Sequence, residues 1–185
     1  PGLGDYLERD NDPLDDVGHG THVAGIAGAV TDNRRGIAGV AWYCKLMPVR
    51  AGYNTALGGY LEDDDAATAI VYAADNGAQV INMSWGAPTP SPIIHEAVKY
   101  AYSLGCVLVA AAGNDGVEGL YYPAAYDEVI AVGASDFYDA PASFSNYGWD
   151  LDVIAPGVEV ESTWPDSGYN TLSGTSMATP HVAGL

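Results

Sequence analysis

The sequence is short of basic side chains and of long apolar runs, and each shortage excludes a class of protein. Six Lys and Arg residues stand against 24 Asp and Glu, for a formal net charge of -18, and no basic cluster exceeds the pair Arg34 and Arg35. Such a chain would be repelled by phosphates, so we expect no nucleic-acid partner. No apolar run approaches the ~20 residues needed to span a bilayer, so we expect no membrane association.

Cysteine is also scarce, with two in the whole chain. Cys44 lies in the apolar-rich run Val40–Val49, and Cys106 begins the run that ends at Ala112. Both are predicted to be small buried side chains in strands rather than partners in a disulfide. No cluster of Cys and His has the spacing of a structural zinc site, which excludes that class of small domain.

The remaining composition is that of a folded domain. The 185 residues are 48% hydrophobic and include 13 tyrosines and 4 tryptophans, so the chain can fill a core and is not a disordered acidic chain. This length predicts one domain that buries roughly 70% of its unfolded surface.

Apolar strands alternate with helical segments along the chain. Strands are predicted at Lys45–Arg50, Gln79–Ser84, Val107–Ala112 and Val129–Val132, and helices at Gly20–Val30, Asp63–Asn76 and Ser91–Leu104. After Ala134 the sequence predicts loops until a last helix begins near Ser176. Nearly continuous apolar strands with helices between them predict an α/β fold, in which helices cover both faces of a parallel sheet.

Three segments carry side chains that could take part in catalysis. In the predicted sheet they lie near the carboxyl ends of the parallel strands, where ligands bind. His19, which titrates near neutral pH, lies between two glycines where a substrate backbone can come close. Asn114 follows a predicted buried strand, and Ser176 stands in the first turn of a helix, where N–H groups favour negative charge. Taken singly, Ser176 is a helix cap and Asn114 a turn residue. Together, a base, a nucleophile and an amide donor make an acyl-transfer site.

The same three segments carry a resemblance to a known family. They read His-Gly-Thr-His-Val-Ala-Gly at 19–25, Ala-Ala-Gly-Asn at 111–114 and Gly-Thr-Ser-Met-Ala-Thr-Pro-His-Val-Ala-Gly at 174–184. In sequence and order they resemble the motifs of the subtilisin-like serine proteases, the subtilase or S8 peptidase family. The resemblance covers nearly the whole chain. It implies a three-layer α/β/α fold with a mostly parallel, doubly wound sheet, and the activity of a serine endopeptidase.

Catalytic roles follow from the resemblance residue by residue. It implies that Ser176 is the nucleophile that forms an acyl-enzyme and that His19 is the base. The side chain of Asn114 and the Ser176 backbone N–H would bind the oxyanion. His22 and His181 are expected to be structural.

Substrate contacts are implied in the same way. Residues 84–86 would pair as a strand with the peptide backbone, and residues 58–59 would form the opposing edge. The small residues 111–113 would wall the pocket for the side chain before the cleaved bond. We expect room there for a large apolar side chain. Trp85, where relatives commonly have leucine, would narrow the neighbouring subsite or belong to the core. The residues so assigned are Ser84, Trp85, Gly86, Gly58, Gly59, Ala111, Ala112 and Gly113.

The resemblance also implies a Ser-His-Asp triad, and the aspartate of that triad departs from the family pattern. The family places an aspartate about thirty residues before the histidine, in an Asp-Ser/Thr-Gly context. Only 18 residues precede His19, and none of their aspartates is followed by such a pair. Asp15 and Asp16 are expected to solvate the loop or orient its turn. We therefore expect residues 1–185 to be part of a catalytic domain, truncated at both ends and inactive and poorly folded alone.

No cofactor is implied for the chemistry, although the resemblance allows a structural calcium ion. Asp32 and Asn33, in the loop after the histidine helix, are weak candidate ligands. Asp152, together with carbonyls after Pro123, is another. For Asp32 a plain turn residue is the alternative.

Two rival functions remain at this stage. One is a non-catalytic subtilase homologue that binds peptides in the same cleft. The other is a metal-dependent hydrolase using His19, His22 and His181, which lacks a His-Glu-x-x-His pair. For the protease we expect protein or peptide substrates, a monomer and a secreted location, which the excess of aspartate suits.

Overall fold

The computed structural model describes residues 13–55 and 58–185. Within these residues the helices are α1 (His19–Gly28), α2 (Asp63–Asp75), α3 (Pro92–Ser103) and α4 (Thr175–Ala183). The strands are β1 (Gly52–Thr55), β2 (Gly58–Leu61), β3 (Val80–Met83), β4 (Val107–Ala111), β5 (Ile130–Ser135), β6 (Val153–Pro156), β7 (Val160–Trp164) and β8 (Gly168–Leu172).

A four-stranded parallel sheet lies at the centre of the described fold. Its order is β3-β4-β5-β6, and every neighbouring pair is parallel. The pairings bring Met83 opposite Ala110 and Ala111 opposite Val132, so the carboxyl ends of β3 and β4 meet at one edge. The sequence predicted this parallel sheet, and the prediction is confirmed.

Helices cover both faces of this sheet. Leu108 and Ala110 point to one face and join a core with Ile70 of α2 and Val98 of α3. Val109, between them in β4, points to the other face and joins a second core, which includes Ala178 of α4. Since side chains alternate along a strand, an almost wholly apolar strand such as β4 must be covered twice. The predicted three-layer, doubly wound arrangement is therefore confirmed.

Helix α1 packs against α4 and β7. Its glycines allow the close approach that the sequence predicted: a Cβ atom on Gly25 would lie 2.2 Å from Thr163 Oγ1 and 2.4 Å from Ser162 Oγ. This contact fixes the helix that begins at His19. None of the helices in the described part of the chain is long and apolar enough to cross a membrane.

The region after Ala134 contains more regular structure than the sequence indicated. Strand β6 extends the parallel sheet, and β7 and β8 form an antiparallel hairpin where loops were predicted. These strands mix exposed and half-buried side chains, and Ser162 is the one fully buried residue of β7. Because their apolar pattern is broken, it did not indicate strands.

The predicted strand Lys45–Arg50 is wrong in this structure. The segment has no ladder partner among the described residues, and Leu46 is half exposed. An apolar run becomes a strand only where a neighbouring strand accepts its backbone hydrogen bonds. Cys44 is accordingly exposed, which corrects its predicted burial, whereas Cys106 is buried, and both are free thiols.

Candidate active site

Ser176 is the second residue of α4, and its side chain faces the end of β3. Its Oγ donates a hydrogen bond to the carbonyl of Ser84 at 3.0 Å, and Ser84 Oγ donates to the carbonyl of Ser176 at 2.8 Å. Asn82 Nδ2 donates in turn to Ser84 Oγ at 3.0 Å. This reciprocal pair ties the start of α4 to the carboxyl end of the sheet and leaves the Ser176 side chain half exposed.

Asn114 lies just beyond β4, and its amide orientation is fixed by α4. Its Oδ1 accepts hydrogen bonds from the Thr175 N–H at 2.8 Å and from Thr175 Oγ1 at 3.0 Å. An amide nitrogen cannot accept a hydrogen bond from an N–H, so the oxygen must face Thr175 and the Nδ2 donor must face the other way.

The Asn114 amide and the first turn of α4 present two donors to one region. A Cβ atom placed on Gly174 would lie 3.6 Å from Asn114 Nδ2, 3.7 Å from Asn114 Oδ1 and 3.7 Å from the Ser176 backbone nitrogen. Thr175 engages the oxygen, which leaves the two nitrogens as donors. Two N–H donors that flank one point, at the amino end of a helix, favour a negative charge there. This geometry suits stabilisation of the oxyanion of a tetrahedral intermediate.

Gly113 sets the turn that carries Asn114. Its φ is +111°, and a Cβ atom there would lie 2.4 Å from Asn146 Nδ2, so only glycine fits. Its N–H lies 3.3 Å from Thr175 Oγ1, which adds a second link between this turn and α4.

Asn146 is a positioning residue that the sequence did not reveal. It is fully buried, and its Oδ1 accepts from the Asp115 N–H at 2.9 Å while Nδ2 donates to the Gly119 carbonyl at 3.1 Å. Its own N–H donates to the Gly113 carbonyl at 3.0 Å. Asn146 therefore holds the loop on both sides of Asn114, through its backbone N–H before that residue and through its side chain after it. The only sequence signal is an asparagine in a polar stretch, which is usually a turn residue.

A cavity of about 280 Å³ opens beside Ser176. Its lining residues are Trp85, Gly86, Ala111, Gly113, Asn114, Asp115, Tyr121, Thr175 and Ser176. Several of the residues expected to contact substrate therefore lie together with the expected nucleophile and the amide donor. Tyr121 and Asp115 are additions that the sequence did not indicate. Trp85 lines the cavity and also packs against the core that includes α2 and α3.

Ala112 and Ser84 lie behind this cavity. The Ala112 side chain is fully buried, and its N–H donates to the Val132 carbonyl at 2.9 Å. Ser84 is buried and is bonded to Ser176. Neither residue lines the cavity; each lies next to residues that do.

The expected opposing edge, Gly58 and Gly59, belongs to the antiparallel hairpin of β1 and β2. Gly58 pairs with Thr55, and Gly59 pairs with Asn54. A Cβ atom on Gly59 would lie 3.5 Å from Val17 Cγ1, so β2 runs beside the segment that leads into α1.

Asp15 caps the start of α1. Its carboxylate accepts hydrogen bonds from the N–H groups of Val17, Gly18 and Thr21, at 2.7 to 2.9 Å, and from Thr21 Oγ1. Burial alone would raise the pKa of Asp15, but these bonds, the Thr21 hydroxyl first among them, hold it below its usual value. The carboxylate thus orients the turn before His19, as the sequence indicated.

His19 is the half-buried first residue of α1. Burial lowers its pKa below the usual value, the negative charge of Asp15 opposes this, and His22 adds to the lowering. The neutral imidazole, which can accept a proton, is therefore the favoured form. In residues 13–55 and 58–185 no carboxylate accepts a hydrogen bond from this ring, and His19 is not one of the residues that line the cavity.

His22, expected to be structural, is fully buried one turn into α1. Its Nε2 lies 3.0 Å from the Asn170 carbonyl, and its own carbonyl accepts from Ser162 Oγ at 2.7 Å. His181, expected to pack or hydrogen-bond, has its Nδ1 at 2.9 Å from the Met177 carbonyl. His95, which had no expected role, stacks flat on Tyr126 with ring centres 3.9 Å apart.

The buried His22 makes stability depend on pH. Burial lowers its pKa, with partial opposition from the Asn170 hydrogen bond, so between this pKa and about 6.5 the unfolded chain binds a proton that the folded chain does not. The stabilisation is complete above about pH 6.5 and is lost as pH falls. We expect the free energy of unfolding to drop by about 1 kcal/mol between about pH 7.5 and 5.5 in urea titrations. The drop should shrink in His22→Gln, and stability that is constant or rises on acidification would contradict this reading.

The candidate calcium ligands lie in turns and loops of the described fold. No group of three or more His, Cys, Asp or Glu side chains suited to a metal occurs in the described ranges. Asn33 Oδ1 already accepts from the Arg35 N–H at 2.9 Å, and Asp32 is an exposed turn residue with φ +57°. Asp152 Oδ2 accepts from the Ala131 N–H at 2.8 Å and so ties a loop to β5.

Comparison with known proteins agrees with this arrangement. The model of the subtilase family, peptidase S8, matches residues 4–185. A thermophilic serine proteinase from Bacillus sp. (strain AK1) is 52% identical over 98% of this chain and 44% of its own length. Thermitase from Thermoactinomyces vulgaris is 48% identical over 98% of this chain and 64% of its own length.

A solved structure, that of sphericase, is similar in three dimensions. It superimposes with a TM-score of 0.85 at 40% identity, over 92% of this chain and 62% of that one. This chain therefore spans less than two thirds of the length of these relatives. Subtilases need no cofactor for their chemistry. The family model spans nearly all of the chain, and the end of β4 and the start of α4 bring Asn114 and Ser176 to one cavity; the chain belongs to the subtilase family.

Proposed function

We propose that the protein containing this chain is a serine endopeptidase that hydrolyses peptide bonds through an acyl-enzyme. The observation that carries the proposal is the fixed orientation of the Asn114 amide beside Ser176. Thr175 occupies its oxygen with two hydrogen bonds, which leaves Nδ2 directed away from the helix. A module that merely binds peptides has no need of an amide donor held in this way.

Each residue then has a defined role in the reaction. Ser176 Oγ attacks the scissile carbonyl carbon while His19 takes its proton, and the resulting oxyanion accepts from Asn114 Nδ2 and the Ser176 N–H. His19 gives the proton to the leaving amine as the C–N bond breaks. Water then attacks the acyl-enzyme, passing one proton to His19, which returns it to Ser176 Oγ as the acid product leaves. Helices α1 and α4, which begin near these two side chains, pack against each other.

The carboxylate that completes the triad belongs, in this proposal, to sequence outside these 185 residues. The charge of Asp15 acts on His19, but the Asp15 oxygens are engaged by the helix start. The greater length of the relatives supports the proposal that residues 1–185 are part of a catalytic domain. Without that carboxylate the imidazole loses its orientation and the stabilisation of its protonated form, at a cost of about 10⁴ in kcat.

A fluorophosphonate probe tests the proposal on the full-length protein. Such probes phosphonylate activated serines and leave metal hydrolases unlabelled. We expect one label on the peptide that contains Ser176, and none in His19→Gln, because the hydroxyl is then not activated. Ser173, three residues earlier and exposed, serves as an internal control and should remain unlabelled. Hydrolysis of peptides without labelling of Ser176 would refute the serine mechanism.

A non-catalytic homologue would give a different result in the same experiment. It would bind peptides in the cavity, with neither hydrolysis nor labelling. Metal-dependent hydrolysis would survive the probe and be abolished by a chelator. The three outcomes separate the three functions.

The setting of the enzyme is also a proposal. The 24 acidic side chains, against 6 basic ones, support protein or peptide substrates rather than nucleic acid. The same acidic surface supports a secreted location. We propose that it acts as a monomer, away from membranes. Sedimentation and fractionation of the culture medium test these points.

A further inference from the structure

Tyr121 closes the cavity beside Ser176. Its N–H donates to the Ala112 carbonyl at 2.9 Å, and the next residue, Tyr122, exchanges two backbone hydrogen bonds with Ala87, at 2.8 and 2.9 Å. The segment 121–122 is thus bonded to both walls of the cavity, one after β3 and one after β4. It forms the floor between them.

Two glycines bring the walls against the Tyr121 side chain. A Cβ atom on Gly86 would lie 3.2 Å from Tyr121 Cβ, and one on Gly113 would lie 3.0 Å from Tyr121 Cγ. The tyrosine ring is therefore held between the walls. The ring fills part of the pocket that the small wall residues would otherwise leave open.

The Tyr121 hydroxyl donates a short hydrogen bond to Asp115 Oδ2. This bond raises the pKa of Tyr121, so the hydroxyl remains a donor in alkaline solution as well as at neutral pH. The Asp115 backbone is fixed by the 2.9 Å bond from its N–H to Asn146 Oδ1. Both ends of this pair, ring and backbone, are thus anchored.

Asp115 is the one formal charge among the residues that line the cavity. No Lys or Arg in residues 13–55 and 58–185 forms an ion pair with it: Arg50 pairs with Asp16, and Lys99 pairs with Glu96. An unneutralised carboxylate beside a cleft attracts a cationic side chain and repels an anionic one.

We propose that Asp115, held by the Tyr121 hydroxyl, makes this cavity select peptides with lysine or arginine immediately before the cleaved bond. The inference rests on the proposed function, because the acyl-enzyme joins the residue before the cleaved bond to Ser176 Oγ, beside the cavity that Ser176 lines, while the residue after the bond leaves as the amine. The volume of about 280 Å³ suits one side chain. The methylenes of lysine pack on the Tyr121 ring, and the ammonium group reaches the carboxylate. This preference replaces the apolar one that the sequence led us to expect.

Matched peptides test the proposal on the full-length protein. Three substrates differ only in the residue before the cleaved bond: lysine, norleucine, which has the same stem without the ammonium group, or glutamate. We expect kcat/KM to fall in that order. In Asp115→Asn the ratio of lysine to norleucine should fall about tenfold, between the effect of an exposed ion pair and that of a buried charged hydrogen bond. In Asp115→Lys glutamate should overtake lysine.

A second variant and a salt titration complete the test. Tyr121→Phe removes the hydroxyl that positions the Asp115 carboxylate, so it should lower the ratio of lysine to norleucine about threefold. Asp127 is an exposed aspartate outside the cavity lining, and Asp127→Asn should leave this ratio unchanged. In the unmodified protein the ratio should fall as NaCl rises from about 0.05 M to about 1 M. A ratio near one, insensitive to salt and to Asp115→Asn, overturns the inference.

The norleucine substrate separates this inference from the proposed function. If it is cleaved and Ser176 is labelled while lysine gives no advantage, the specificity inference alone fails. If no substrate is cleaved and Ser176 stays unlabelled, the proposed function itself fails.

Discussion

We expect replacement of Ser176 by alanine to abolish the proposed peptide hydrolysis in the full-length protein. In a subtilisin, loss of the nucleophile costs about 10⁶ in kcat, and we expect a loss of that order. The other hydroxyls that line the cavity, those of Thr175 and Tyr121, are donated to Asn114 and Asp115. The variant should still bind substrate, since the walls formed by Gly86 and Ala111 and the floor formed by Tyr121 are unchanged. Stopped assays give kcat, and equilibrium binding of a fluorescent peptide gives the affinity.

The matched control is Ser173→Ala. Ser173 is exposed on the same segment, and its Oγ accepts a hydrogen bond from the Glu159 N–H at 2.8 Å. Its replacement should change kcat less than twofold, because it lies outside the residues that line the cavity. Equal losses in the two variants would point to a folding defect rather than to the loss of a nucleophile.

Folding must also be measured for Ser176→Ala itself. The replacement removes the bond from Ser176 Oγ to the Ser84 carbonyl, which contributes about 1 kcal/mol. We therefore expect a small decrease in the midpoint of thermal unfolding and an otherwise intact fold. A variant that is folded, binds peptide and retains more than about 1% of kcat contradicts the assigned role.

The central sheet was predictable because its signal is local. The run Val107–Ala112 is apolar at successive positions, which makes sense only for a strand covered on both faces, and β4 is such a strand. The motifs of the proposed catalytic residues are local as well. Gly113 and Asn114 are adjacent after β4, and Thr175 and Ser176 are adjacent at the start of α4. Each of these two halves of the site could therefore be recognised from contiguous residues.

The contacts between those halves could not be read in the same way. Asn146 holds Asp115 from 31 positions along the chain, and Thr175 fixes the Asn114 amide from 61 positions away. Such pairings depend on the folded path of the backbone, and an isolated asparagine carries no sign of its partner. The prediction for Lys45–Arg50 failed because the apolar pattern of this segment suits a strand, but no neighbouring strand among the described residues pairs with it.

The same distinction separates catalysis from specificity in the cavity. Ser176 and Asn114 belong to long motifs, and the sequence alone indicated both. Tyr121 and Asp115 stand in a segment without a motif, and they acquire a shared role only because two bonded walls bring the hydroxyl to the carboxylate. For the proposed substrate preference, therefore, the structure adds more to the sequence than it does for the proposed catalytic residues.

Replacement of Asn114 by alanine has the second largest expected effect. Removing one oxyanion donor costs about 10² to 10³ in kcat in a subtilisin, and we expect the same range with little change in KM. The reason is that Nδ2 meets the substrate oxygen chiefly when it carries negative charge in the transition state. The Ser176 N–H remains as the other donor, so the loss is smaller than that caused by Ser176→Ala.

The alanine variant removes the oxygen as well as the nitrogen, and Asn114→Asp separates the two. Aspartate keeps an Oδ1 atom to accept from the Thr175 N–H and hydroxyl, so the bonds that anchor the start of α4 survive. It replaces the Nδ2 donor with an oxygen that repels the oxyanion, and kcat should fall at least as far as in Asn114→Ala. Unfolding in urea should be perturbed less by Asp than by Ala. If Asp restored activity, the residue would act by anchoring the helix, and its role as an oxyanion donor would be refuted.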